Sequence, residues 1–178
     1  MLPALSLPDA VAPRALLLAG LMGAAAIAPA SAQQAVILVR HAEQALVGGM
    51  MDGDPPLTED GTRRAKSLAT VLKDSGATAV YATQYVRSQD TAGPIAAALG
   101  RQVTLVAKDD LPALAERLRS QHAGETVLVV AHSDTIPALL KLWGHPQPTE
   151  IGKTEFNSMW LVVPRPAGPP VVSRLRLP

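Results

Sequence analysis

The stretches AVILVRHAE (residues 35–43) and TVLVVAHSD (residues 126–134) decide the fold that this sequence predicts. Each begins with a short apolar run, Ala35 to Val39 and Thr126 to Ala131, which is typical of a buried strand. The second run is the more apolar and is predicted to be central in a sheet. Each stretch then reaches a histidine, His41 or His132, where open α/β sheets bind ligands.

The rest of the chain alternates between helical and extended patterns. Thr58 is a plausible N-cap followed by two acidic residues, as expected where a helix begins. Apolar residues at helical spacing, within 65–72, 92–99 and 111–118, predict three helices; the first begins after Thr58 and is closed by Gly76, and the second stops at Gly100. A short helix is predicted from near Thr135, and further strands are predicted at 78–82, 103–106, 159–163 and 171–177. This order predicts an α/β fold, a three-layer αβα sandwich around a mostly parallel sheet.

Residues 1–32 resemble a signal peptide rather than part of the fold. Arg14 precedes an almost unbroken apolar stretch from Ala15 to Ala28, and Ala30-Ser31-Ala32 has the small-x-small pattern of a cleavage site. A retained membrane anchor is the alternative, but the apolar stretch is short for a bilayer span. We therefore expect one domain over residues 33–178, periplasmic or secreted and free of the membrane after cleavage.

The composition of the chain argues against several kinds of function and site. The net charge is +1 with no basic run, which argues against a nucleic-acid surface. The chain has no cysteine, so disulfides and thiolate metal sites are excluded. One compact domain of this length can still bury a core.

Four side chains are predicted to meet at one edge of the sheet. Arg40 and His41 leave the first strand, Arg87 follows the second at the start of a helix, and His132 leaves the fourth. Two guanidinium groups can grip a phosphoryl group, and a helix start also favours anions. One histidine could attack phosphorus while the other, if protonated, stabilises charge on the transferring group. A zinc site built from both histidines and nearby carboxylates is the competing interpretation, although two arginines would repel a cation.

Four segments together resemble the histidine phosphatase superfamily, whose fold is phosphoglycerate-mutase-like. They are Val39-Arg40-His41-Ala42-Glu43, Pro56-Leu57-Thr58-Glu59-Asp60-Gly61, the segment from Val80 to Ala92 with Arg87, and the segment from Val127 to Pro137 with His132. They follow the family's order and cover most of the domain. The absence of long insertions makes the chain similar to the small capless bacterial members, such as the phosphohistidine phosphatases.

The resemblance implies a role for each pocket residue. His41 is expected to be the phosphorylated nucleophile, and Arg40, Arg87 and His132 are expected to complete the phosphate pocket, with no metal and no cofactor. The general acid stays open. Carboxylates in loops that could reach the pocket are Glu43, Asp52, Asp54, Asp109, Asp110 and Asp134, of which Glu43 and Asp134 are the leading candidates.

The expected function is that of an exported phosphatase acting on phosphomonoesters or phosphohistidine through a covalent phosphohistidine. Its expected partner is a phosphorylated small molecule or a phosphoprotein. The alternative is a non-catalytic phosphate-binding module with the same pocket, because no carboxylate stands out as the acid.

Overall fold

The computed structural model of the chain describes residues 35–46, 53–165 and 167–177. Within these residues, strands and helices alternate from β1 to α4 before two final strands. Their bounds are β1 (Ala35–Arg40), α1 (Glu59–Leu72), β2 (Ala77–Thr83), α2 (Val86–Ala98), β3 (Val103–Val106), α3 (Leu111–Gln121), β4 (Thr126–Ala131), α4 (Thr135–Leu142), β5 (Ser158–Val163) and β6 (Val171–Arg176). The predicted signal peptide, residues 1–32, lies outside the described residues.

The strands form one mixed sheet in the order β3-β2-β4-β1-β5-β6. The first four are parallel, whereas β5 and β6 are antiparallel to their neighbours. β4 lies between β2 and β1, so its predicted central place is confirmed. Because β5 runs in the opposite direction to β1, its first residue lies at the sheet edge where β1 ends.

Alternate residues of each strand pack into two different apolar layers. In β1, Leu38 joins the layer formed with α3 and α4, while Val39 joins the layer formed with α1 and α2. The central strands are buried on both faces, which explains their continuous apolar sequence. The predicted three-layer α/β architecture is therefore confirmed.

Two helix starts follow from their local sequence. The hydroxyl of Thr58 accepts a hydrogen bond from the backbone N–H of Gly61, so Thr58 caps α1. Pro137 lies in the first turn of α4, where its missing N–H costs little. No helix among the described residues is long and apolar enough to cross a membrane.

Candidate active site

The two strand-end histidines lie side by side at the carboxyl edge of the sheet. The residue pair Arg40 and Ala131 is in register between β1 and β4, so the residues that follow, His41 and His132, emerge together. Their ring centroids are 5.0 Å apart, and both side chains are buried. The predicted meeting of these histidines therefore occurs.

The ring of His41 is oriented by a hydrogen bond at one of its two nitrogens. Its Nδ1 lies 2.8 Å from the carbonyl oxygen of Ala42. Because a carbonyl only accepts hydrogen bonds, Nδ1 carries the proton and Nε2 of the neutral ring keeps its lone pair. Burial, together with the charges of Arg40 and Arg87, lowers the pKa of His41 to about 4. The ring is therefore neutral and nucleophilic at pH 7.

His132 is oriented by a chain of hydroxyl groups. Its Nε2 lies 2.7 Å from Oγ1 of Thr83, and that hydroxyl donates to Ser88 at 2.8 Å. Thr83 then accepts from Nε2–H, which leaves Nδ1 of the ring for the pocket. Burial and the charges of His41, Arg87 and Lys108 lower the pKa of His132 to about 3. A bound phosphate dianion would act in the opposite direction and favour the protonated ring.

Arg40 is anchored from the segment that precedes β5. Its Nη1 donates to the carbonyl oxygens of Gly152 and Glu155, at 2.9 and 3.0 Å. The ring of Phe156 lies against the guanidinium face, 4.0 Å from Cζ to the ring centroid. The side chain is 3% exposed, and this burial lowers its pKa. These contacts fix the position of the guanidinium group beside the histidines.

Arg87 occupies the first turn of α2, as predicted, and is held in a similar way. Its Nη1 lies 3.3 Å from the carbonyl oxygen of Gly53 and 3.4 Å from the carboxylate of Asp54. The ring of Tyr85 lies against the guanidinium, 4.3 Å from Cζ to the ring centroid. Asp54 also accepts from the backbone N–H of Val86, so it ties the start of α2 to the preceding loop.

Both arginines keep an unused donor. The Nε atoms of Arg40 and Arg87 are buried and have no hydrogen-bond partner within the described part of the chain. A buried donor without an acceptor costs free energy, and guanidinium donors match phosphoryl oxygens in geometry. The pocket is therefore chemically suited to an anion with several oxygens.

The loop after β1 is clamped to the start of α1. The carbonyl oxygen of Glu43 accepts from the backbone N–H of Thr58, and Gly61 passes so close to this carbonyl that a Cβ there would overlap it. On the other side, the backbone N–H of Ala42 donates to the hydroxyl of Thr91 in α2. The threonine and glycine of the PLTEDG segment thus position the chain beside His41.

The candidate acids are mostly engaged elsewhere. Glu43 pairs with Arg64 at 2.8 Å. Asp134 pairs with Lys108 at 2.7 Å; burial alone would raise the pKa of Asp134, but the hydrogen bond and charge of Lys108 outweigh it and lower that pKa. An ionised, paired carboxylate is a poor proton donor.

The other carboxylates offer no clearer donor. Asp54 is bound to α2 as described above, and Asp110 caps α3. Asp52 lies outside the described residues. Asp109 is exposed beside the cap. No group of three or more histidines, aspartates and glutamates that could hold a metal ion occurs among the residues the structure describes.

Sequence reasoning missed several residues that shape the pocket. Thr83 is the last residue of β2, Tyr85 lies just after β2, and Lys108 lies just after β3, so the rule used for the histidines could have found them. Glu155 and Phe156 reach the site only because β5 is antiparallel, a feature that the local pattern does not show. Glu155 also binds Ser158 and Arg174, and although burial alone would raise its pKa, these partners lower it to about 2.

Comparison with known proteins agrees with this geometry. The family model "Histidine phosphatase superfamily (branch 1)" matches residues 36–112, which include Arg40, His41 and Arg87. No curated protein gave a significant sequence match. Solved structures with the same fold are numerous, with 136 matching chains.

Three of these structures illustrate the likeness. The protein histidine phosphatase SixA, solved with tungstate, is 17% identical, with a TM-score of 0.66 over 80% of this chain and 96% of that one. A putative alpha-ribazole-5'-P phosphatase from Escherichia coli is 17% identical, with a TM-score of 0.66 over 82% and 97%. A mycobacterial glucosyl-3-phosphoglycerate phosphatase is 20% identical, with a TM-score of 0.59 over 72% and 89%.

The predicted phosphoglycerate-mutase-like fold is thus confirmed. The matched segment begins in β1 and ends at the start of α3. With this match and the shared fold, residues 36–112 resemble the histidine phosphatase superfamily, branch 1, and the chain has the fold of phosphatases of known structure.

Proposed function

We propose that this protein is a histidine-type phosphatase that hydrolyses phosphomonoesters or phosphohistidine through a covalent phosphohistidine on His41. One observation carries the proposal: Nδ1 of His41 is committed to the carbonyl oxygen of Ala42, so the lone pair lies on Nε2 beside two buried arginines. The nucleophilic nitrogen and the two arginines that would bind the phosphate are therefore in place before the substrate binds.

The proposed reaction has two displacements at phosphorus. First, Nε2 of His41 forms a bond to phosphorus while the bond from phosphorus to the leaving group breaks, and the leaving group departs with the electron pair. Water then attacks phosphorus and releases a proton to solvent, the electron pair of the P–N bond returns to Nε2 of His41, and the departed group takes a proton from solvent. The net change consumes one water and yields the dephosphorylated leaving group and inorganic phosphate. Arg40, Arg87 and a protonated His132 stabilise the phosphoryl oxygens in both steps.

Replacement of His41 with Ala tests this proposal. We expect no turnover of aryl phosphate, while inorganic phosphate still binds through the arginines. Wild-type enzyme quenched in acid should carry acid-labile, base-stable phosphate on one histidine. Near-normal activity in His41→Ala would contradict the proposal, and phosphate binding without turnover in the wild type would indicate the binding module instead.

We also propose that the protein is exported, on the strength of the sequence of residues 1–32. Mature protein is expected outside the cytoplasm with Gln33 as its first residue. Ala32→Arg should block processing, whereas Ser31→Arg should be tolerated because the middle position of a small-x-small site is permissive. A wild-type protein that retains Met1 inside the cytoplasm would contradict export.

A further inference from the structure

Two half-buried aromatic rings border the pocket, one beside each histidine. The ring centroid of Tyr85 is 5.3 Å from that of His132, and that of Phe156 is 6.0 Å from that of His41. The rings also cover the guanidinium faces of Arg87 and Arg40, respectively. Each ring thus contacts a different pair of pocket residues.

The topology of the sheet places these rings on opposite sides of the site. Along the sheet edge the order is β2, β4, β1, β5. Tyr85 follows β2, His132 follows β4, His41 follows β1, and Phe156 precedes the antiparallel β5. The histidine pair is therefore flanked by one ring on each side.

We propose that Tyr85 and Phe156 form an aromatic slot that selects phosphate groups carried on flat rings, such as aryl phosphates and phosphorylated imidazole. The inference rests on the proposed function and names its substrate class. In this proposal, the leaving group of a phosphate bound by both arginines lies against one of these rings. Aromatic surfaces favour a planar partner through offset or edge-to-face contact, which an aliphatic group of equal size gains less from.

Binding of two phosphonates tests the slot without turnover. Phenylphosphonate and cyclohexylphosphonate carry six-membered carbon rings, but only the first is flat and aromatic. We expect the wild-type protein to bind phenylphosphonate about tenfold more tightly in calorimetry. Tyr85→Leu and Phe156→Leu should each reduce this preference about threefold, and the double variant should nearly abolish it. Val86→Ala, which removes exposed apolar surface next to Tyr85 but no ring, should retain the preference.

Binding of inorganic phosphate shows whether the two rings select the ligand or only hold the arginines in position. If the rings only hold the arginines, the variants will lose affinity for phosphate and both phosphonates in the same proportion, and the preference will persist. That result, or a wild-type protein without preference, would overturn the slot. Loss of phosphate binding in the wild type would instead contradict the proposed function, so the two failures are distinguishable.

Discussion

The hydroxyl of Thr83 lies 2.7 Å from Nε2 of His132 and decides which nitrogen of that ring is left for the pocket. Thr83 is the last residue of β2, and His132 follows the neighbouring strand β4. The contact joins two strand ends, so it depends on the sheet register. The orientation of the second histidine is therefore a product of the fold rather than of its local sequence.

Replacing Thr83 with Val should reduce kcat/KM for an aryl phosphate by tenfold or more, because Nε2–H loses its acceptor and the ring its orientation. Thr83→Ser keeps the hydroxyl and should recover most of the activity. Steady-state kinetics measure both variants. Equal activity in Thr83→Val and wild type would show that the hydroxyl does not orient His132.

Arg87→Lys should lose about a hundredfold in kcat/KM although the charge is kept, because an ammonium group cannot make the planar, two-point contact. Arg63→Lys is the matched control, since Arg63 is exposed on α1 and pairs with Asp60. Aryl phosphate kinetics measure both. A loss below threefold in Arg87→Lys would show that Arg87 does not bind the phosphate.

Gly61→Ala should lower both stability and activity. The added Cβ would overlap the carbonyl oxygen of Glu43, so α1 or the loop beside His41 must shift. Gly93→Ala is the control, because a Cβ on that residue of α2 meets nothing within 4 Å and alanine favours a helix. Thermal unfolding and kinetics should show the loss in the first variant alone. If Gly61→Ala behaves like Gly93→Ala, the loop is not clamped at this point.

Stability should depend on pH through the buried histidine pair. The folded-state pKa values of His41 and His132, about 4 and about 3, lie below the ordinary value of 6.5 because burial disfavours the charged rings. Between pH 6.5 and 4 the unfolded chain binds more protons than the folded one, so the free energy of unfolding falls as pH falls, by on the order of a few kcal/mol.

Urea unfolding at several pH values measures this dependence. The double variant His41→Asn/His132→Asn should show a flatter profile over the same range, because its unfolded chain no longer gains those two protons. A wild-type profile as flat as that of the double variant would contradict the low pKa values.

The sequence predicted those parts of the fold and site that depend on local pattern. Apolar runs predicted the strands, and Thr58 predicted the start of α1. The predicted strand ends indicated where His41 and His132 would lie. These features follow from burial and backbone hydrogen bonding within a few residues.

The remaining features depend on contacts between distant segments. Phe156 lies more than a hundred residues from Arg40 in the chain and reaches it only through the pairing of β5 with β1. The pairing of Asp134 with Lys108 likewise requires two different loops to meet. Neither contact leaves a periodic signal, so the engagement of the candidate acids could not be read from the sequence.

The pairing of both candidate acids determines how the rate should depend on the leaving group. Glu43 is paired with Arg64 and Asp134 with Lys108, so neither is expected to protonate the departing group. Because the proton of His132 is proposed to stay directed at the phosphoryl oxygens and both candidate acids are paired, the rate should depend steeply on leaving-group basicity. Phenolic leaving groups, with parent pKa values of about 10, should react far faster than alkyl ones. Phosphohistidine should also react well, since its distal ring nitrogen can carry the proton and depart as neutral imidazole.

A series of substituted phenyl phosphates measures the slope of log rate against leaving-group pKa. We expect the same steep slope in the wild type, Glu43→Gln and Asp134→Asn, because neither substitution removes a proton donor to the leaving group. A change of absolute rate without a change of slope would reflect only the lost pairing with Arg64 or Lys108. A shallow wild-type slope that becomes steep in one variant would identify that carboxylate as the general acid and refute the prediction, because only a lost proton donor makes the rate more sensitive to the leaving group.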